Sequence, residues 1–196
     1  MLKLDNSAAD LLFREAHTAG SFAPDPVSDE QIEEIWDLIR WAPTGGNANP
    51  GRLLLVRSPE ARERLVAHMN EGNRAKTLAA PLTVVTAADT RFHELLSTLT
   101  PDRPNAAQRL EDDPDARARL ATLSATLLTG YFILGVRAAG LAAGPMGGFD
   151  RAGVDAEFFT DGRWRAILVI NVGVAAPDSS SPRRPRLAFS EVSLVV

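Results

Sequence analysis

Residues 115–139 set the hardest constraint on the fold. They read as one long, weakly polar helix holding Leu120, Leu123, Leu127, Leu128, Tyr131, Phe132, Leu134 and Val136 among alanines and threonines. Several of its faces are apolar, so it must be covered on more than one side, by the domain core or by a second subunit. Gly140 stands where a C-terminal cap is expected. A helix of this kind needs a second layer to lie on. Three runs fit buried strands: "LLLV" at 53–56, "PLTVVTAAD" at 81–89 and "RAILVINVGV" at 165–174. Helices and strands alternate irregularly, without an internal repeat or a domain-scale linker. The expected architecture is therefore α+β over residues 1–196 as one domain. A central sheet is covered by helices, and an extended proline- and serine-rich arm follows the last strand.

The local signals agree with that outline. In "SDEQIEEIWDLIRW", 28–41, Ser28 and Gln31 form a capping box, and Asp29 and Glu30 place negative charge in the first turn. Ile32, Ile35, Trp36 and Ile39 share one face. Pro43 closes this helix, because the residue before a proline is driven out of the helical region. Ser58-Pro59 starts another helix. Residues 90–118 are rich in charge and proline and predict a surface excursion of short helices.

Composition excludes several function classes. The 196 residues carry a formal net charge of −4, which gives no global attraction for nucleic acid or an anionic membrane. There are no cysteines, so disulfides, thiolate metal sites and cysteine nucleophiles are absent together. The N-terminal stretch reads as an amphipathic helix with acids, not as a signal peptide. No apolar run is expected to reach the roughly 18–20 residues that span a bilayer. The expectation is a cytoplasmic protein. His17, His68 and His93 have no metal-ligand spacing, and Asp112, Asp113 and Asp115 lack the rest of a calcium loop. Neither a nucleophile elbow, a P-loop nor a dinucleotide fingerprint is present.

Four segments of another character remain. "RWAPTGGNANPGR", 40–52, is a bare polar corner between helix and strand. "GNRAK", 72–76, holds Asn73 and Lys76 at Asn-x-x-Lys spacing. "GPMGGFD", 144–150, exposes backbone N–H groups through successive glycines. "RRPR", 183–186, is a basic arm. Each alone is most simply a turn or a solvated surface. Together, an arginine pair that grips phosphate, N–H groups that donate to a flat ring and a lysine beside its polar edge suit a phosphorylated aromatic cofactor.

In this order and spacing the four segments resemble the nitroreductase family of flavin-dependent oxidoreductases. "LFREAHTAGSFAPDPVSDEQIEEIWDLIRWAPTGGNANPGR", "GNRAKTLAAPLTVVTAADTRFHE", "AAGLAAGPMGGFDRAGVDAEFF" and "RPRLAFSEV" are similar to successive blocks of its branch containing the malonic semialdehyde reductase of pyrimidine breakdown. The resemblance implies a central mixed sheet, a homodimer that exchanges its C-terminal arms, FMN as cofactor and NADH or NADPH as donor. It implies ping-pong hydride transfer through flavin N5 to a small aldehyde, a nitroaromatic or a quinone. Arg184 and Arg186 would hold the FMN phosphate. Pro43, Thr44, Gly45 and Asn47 would line the flavin from the partner subunit. Asn73 and Lys76 would reach its polar edge, and Pro145, Met146, Gly147 and Gly148 would lie over its reactive edge, with the Gly147 N–H nearest N5.

The chain also departs from the family pattern. His17 stands where the family usually has a phosphate-binding arginine, and Arg14, one turn earlier, shares its face and is placed to substitute. Ala19, Ser21, Gly45 and Gly46 replace positions with more hydrogen-bonding capacity. These departures motivate the alternative expectation of a dimer that binds flavin or another ligand without turnover.

Overall fold

The structure is a computed structural model describing residues 3–179 and 181–196; Met1, Leu2 and Ser180, which fall in the predicted N-terminal helix and the arm, lie outside the described residues. In chain order the elements are α1 (Asn6–Ala9), α2 (Asp29–Ile39), β1 (Gly51–Val56), α3 (Pro59–Ala67), α4 (Glu71–Ala79) and β2 (Leu82–Asp89). Then come α5 (Leu96–Leu99), α6 (Ala106–Asp112), α7 (Pro114–Ala138), β3 (Ala142–Met146), α8 (Arg151–Phe158), β4 (Trp164–Gly173) and α9 (Phe189–Val192).

The strands form one sheet in the order β1-β2-β4-β3, with β1 and β3 at its edges. All three pairings are antiparallel, so the parallel pair of the expected mixed sheet does not lie within the described residues. Side chains on β2 alternate strictly between two cores. Leu82 and Val84 face α2 and α7, whereas Val85 and Ala87 face α3 and α8. Every residue of β2 is buried, which explains its continuous apolar run. On β4 a bulge opposite Thr86 and Ala87 inserts Ile167. The bulge turns Ile167 toward a third cluster with Ala48, Phe92, Ala121 and Ala125.

Helix α7 lies across the sheet and against α2, contacting all four strands. By length and composition it is apolar enough to cross a membrane, contrary to the expectation that no segment would qualify. Its burial of Ala125, Leu128, Phe132 and Val136 accounts for that character within the fold. Gly135 permits the close crossing: a Cβ there would meet Ile39 Cγ2 at 2.6 Å. Gly140 takes φ +73° and closes α7 as a Schellman cap, its N–H donating to Arg137 O while Leu141 N–H donates to Val136 O.

The capping box of α2 forms as the sequence requires, with Ser28 Oγ accepting from Gln31 N–H and Gln31 Oε1 accepting from Ser28 N–H. Ile32, Ile35 and Ile39 are buried, while Trp36 is half-exposed beside Leu53 and Leu55 of the β1 edge. The excursion resolves into a 3₁₀ turn at Phe92–Leu95, then α5 and α6. It is less superficial than expected, since Phe92 and His93 are buried. At the N-terminus, α1 runs into a π-helical turn over Asp10–Arg14 in place of one regular amphipathic helix.

Candidate functional site

Two chain segments meet beside β3 to build a polar cleft. Residues 16–20 run along this edge, Ala19 N–H donating to Ala143 O at 3.0 Å. Gly144 allows the approach, for a Cβ on it would lie 2.7 Å from Ala19 O. The start of the C-terminal arm is laid over this segment by Gly20 N–H donating to Ser179 O at 2.9 Å and by a bridge between Phe22 and Ala175. Between them opens a cleft of about 410 Å³ whose walls carry the cations Lys76, Arg137, Arg183, Arg184 and Arg186, with His17 beside them. No carboxylate is among the described residues lining it.

The arginines are held with their charge uncompensated. Arg183 donates to the carbonyls of Arg14 and Ala16 and, at 3.3 Å, to His17 Nε2, which pins the arm to the N-terminal segment. Arg137, in the last turn of α7, donates from Nη1 to Leu12 O at 3.1 Å, while its buried Nε finds no partner. Burial, with the Arg183 guanidinium nearby, pushes the Arg137 guanidinium below the usual arginine range. A wall of cations that includes a buried donor without an acceptor suits an anion.

Helix α4 joins this cleft to the glycine turn after β3. Asn73 and Lys76, three residues apart, share one face of α4. Asn73 Nδ2 donates to Gly148 O at 2.9 Å, and Asn70 N–H donates to the same carbonyl at 3.0 Å. Gly148 is needed there, since a Cβ would meet Asn73 Nδ2 at 2.9 Å. The Lys76 carbonyl is fixed from below by Asn171 Nδ2 at 3.1 Å, and Asn171 Oδ1 accepts from Thr83 Oγ1 at 2.8 Å. The buried Thr77 hydroxyl contacts Met146 Sδ at 3.8 Å, tying α4 to β3 again. Gly147 is left exposed, its backbone open on the side a Cβ would occupy, where Leu168 Cδ1 at 3.9 Å is the nearest atom.

The corner at 43–52 is built elsewhere. Thr44 Oγ1 accepts from Asn49 N–H, Gly45 N–H donates to Ser124 Oγ, and Asn47 Nδ2 donates to Leu99 O at 2.9 Å. Gly46 takes φ +60°, and Asn47 and Asn49 also lie at positive φ. A Cβ on Gly45 would lie 2.5 Å from Leu120 Cδ1, so its glycine is a packing requirement. The corner thus sits against α7 and the excursion, and within one chain it lines no part of the cationic cleft.

His17, Lys76, Arg184 and Arg186 therefore share one cleft, and Asn73 links it to Pro145–Gly148. Pro43, Thr44, Gly45 and Asn47 are not brought to it. Arg14, expected to substitute for the family arginine, turns away: its Nη1 bonds Asp10 Oδ1 at 3.1 Å and Asn6 Oδ1 at 3.2 Å. Its i, i+4 partner Asp10 is the nearer and opposite charge, and that pairing wins. Arg137 and Asn171 were not anticipated, and Arg183 was part of the basic arm without a role of its own. Arg137 ends a run of seventeen uncharged residues, 120–136, and a lone cation at that point was the available signal.

An α+β fold with a cationic cleft beside an open glycine turn, and no carboxylate among the described residues lining that cleft, has the donor set that suits a phosphorylated ligand. The Nitroreductase family model matches residues 14–174, and the chain belongs to that family. It is 53% identical over 195 residues to a Streptomyces coelicolor protein provisionally named NADH dehydrogenase/NAD(P)H nitroreductase, covering 100% of this chain and 99% of that one. It is 43% identical over 187 residues to a Rhodopseudomonas palustris protein of the same provisional name, covering 95% of each. Among solved structures, a nitroreductase-type protein in complex with FMN from Exiguobacterium sibiricum superposes with a TM-score of 0.85 at 18% identity, covering 100% of both chains. That likeness shows the shared fold.

Proposed function

We propose that this chain is an FMN-dependent NAD(P)H oxidoreductase, reducing a small aldehyde of the malonic semialdehyde kind, a nitroaromatic or a quinone. The observation that carries the reading is the cleft: five cationic side chains with His17 beside them, no lining carboxylate among the described residues and a buried Arg137 Nε without a partner. Its donor set fits a phosphate monoester, and the names of the relatives are consistent with nicotinamide-driven reduction.

When bound, FMN would supply two-electron hydride acceptance and donation. The protein's own part is to hold and bias it. Arg183, Arg184 and Arg186 would hold the phosphate from the arm, and Arg137 would hold it from the last turn of α7. His17, accepting from Arg183, orients that arginine. Lys76 would place a positive charge at the ring's polar edge, where it would stabilise negative charge. The Asn73–Gly148 clamp keeps Gly147 and its N–H exposed to a flat ligand. No general acid or base of the protein is required.

The reading includes a homodimer. Leu123, Leu127 and Tyr131 leave one face of α7 uncovered, and Leu187, Phe189, Val192, Leu194, Val195 and Val196 leave the arm uncovered. Edge strand β1, with Leu53 and Leu55 beside Trp36, is open to receive chain from a partner. A partner strand there would supply the parallel pair missing from the sheet, and the 43–47 corner of one subunit would complete the site of the other.

The test is an absorbance spectrum of the purified protein with FMN, followed by anaerobic NADH or NADPH. Protein-bound yellow that bleaches supports the enzyme. Flavin that binds and bleaches with neither donor supports the non-catalytic dimer, and failure to bind flavin refutes both.

A further inference from the structure

A second cavity lies on the other side of the molecule, between the glycine corner and the excursion. It measures about 200 Å³, with Leu96, Leu110 and Leu120 on its walls, Gly46 at its rim, and two cations, Arg103 and Arg109. At about 30 Å³ per water it has room for roughly seven water molecules, below the ~300 Å³ at which drug-sized sites begin. The part of an occupant that enters it must be small.

The charges around it are segregated. The acids of the excursion are engaged outside the cavity: Glu111 with His93 and Arg117, Asp112 with Gln108, and Asp113 as the N-cap of α7. Arg103 has only a long contact to exposed Asp102 at 3.8 Å, and Arg109 enters no ion pair among the described residues. No carboxylate is among the described residues lining the cavity. The Arg103 guanidinium stands over the corner, its Nη1 3.5 Å from where a Gly46 Cβ would be. Two guanidinium groups above an apolar floor, one loosely paired with Asp102 and the other without an ion pair among the described residues, suit a carboxylate on a short hydrocarbon body.

We propose that this cavity is the acceptor subsite and that it selects small organic acids, Arg103 and Arg109 gripping the carboxylate while the reducible group lies toward the corner. The inference rests on the reading that the 43–47 corner faces the redox site. It favours acceptors of the malonic semialdehyde kind over neutral quinones.

The acceptor pair 4-nitrobenzoate and nitrobenzene tests it, since the two share a reducible group and differ in the carboxylate. Titration calorimetry on the FMN-loaded protein should show at least about tenfold tighter binding of 4-nitrobenzoate, the scale of one charge-assisted contact. The R103A/R109A double variant should abolish that preference. R109K, which keeps the charge and loses the planar fork, should retain part of it. The ratio of kcat/KM for the two acceptors should fall in parallel. Equal binding of both acceptors by the wild type, or a preference untouched in the double variant, overturns the proposal even if turnover is normal. If neither acceptor is reduced and arginine-dependent carboxylate binding persists, the oxidoreductase reading fails and the subsite stands.

Discussion

Replacing Arg137 with methionine separates a structural arginine from one kept for a ligand. In the ligand-free protein Arg137 makes one side-chain hydrogen bond, to Leu12 O, and leaves Nε buried without a partner. A hydrogen bond to a charged group contributes about 1.5–3 kcal/mol, and a buried unsatisfied donor costs about 1–3 kcal/mol. The two nearly cancel, and relief of repulsion from Arg183 favours the variant. Stability without FMN should therefore change by no more than about 1 kcal/mol, a shift of about 2–4 °C in Tm for a domain of this size. Binding should suffer far more, because one charge-assisted contact to the phosphate is lost. For a tenfold rise in Kd, FMN at 100 times the wild-type Kd stabilises the variant by about 1.4 kcal/mol, against about 2.7 kcal/mol for wild type. Thermal melts with and without FMN read both quantities from one sample. A variant that melts more than about 8 °C lower without FMN, yet shows the wild-type FMN shift, refutes the assignment of Arg137 to the ligand.

Other substitutions probe the supports. Gly148→Ala drives a methyl to within 2.9 Å of Asn73 Nδ2 and breaks the clamp on α4; overpacking of about 1–3 kcal/mol and weaker FMN retention should follow, read by urea melts and equilibrium dialysis. Gly135→Ala, 2.6 Å from Ile39 Cγ2, should lose a similar amount of stability with FMN affinity unchanged. Ser28→Ala removes the capping box of α2 and should lower stability by about 1 kcal/mol in the same urea assay. The hydrogen bond from His93, then the charge of Arg117, holds the Glu111 carboxyl below its ordinary range. A depressed folded-state value stabilises above the unfolded value, and that contribution is lost as pH falls through the folded one. Urea midpoints followed from pH 7 into the acid range should decline, and E111Q should flatten that part of the decline.

The periodic elements were legible because local chemistry and packing agree in them. The α2 cap and the apolar faces of α7 are written within a few residues of one another, and β2 is apolar throughout because both of its faces are covered. Strand β3 was not legible. Its five residues, "AAGPM", contain a glycine and a proline, and they become a strand only because they sit at a sheet edge against β4. The cleft shows the same division. Lys76, Arg184 and Arg186 stand out in short motifs, whereas Arg137 joins them across the fold through the placement of α7 against the N-terminal segment. Asn171 is likewise a single polar residue between Ile170 and Val172, and its role in fixing Lys76 exists only in three dimensions. Arg14 shows the converse: helical spacing put it on the face of His17, but in this structure its guanidinium pairs with Asp10 four residues earlier.

The separation of the corner from the cleft turns the dimer into a testable requirement. Within one chain the two candidate half-sites share no lining residue among those described. In the proposed dimer they would contact one flavin from different subunits. The uncovered stripe of α7, Leu123 (61% exposed), Leu127 (43%) and Tyr131 (40%), is the face most suited to bring them together. Leu127→Glu would place a carboxylate against its own symmetry mate at such an interface, where like charges repel in a low dielectric. Because Leu127 is half-exposed, the single chain should still fold. Sedimentation should show a monomer, and inorganic phosphate should still protect the arginine cleft. FMN retention should drop, because the ring loses the partner's corner. A monomer that holds FMN as tightly as wild type would mean that one chain's cleft suffices, and the 43–47 corner would revert to a connection between α2 and β1.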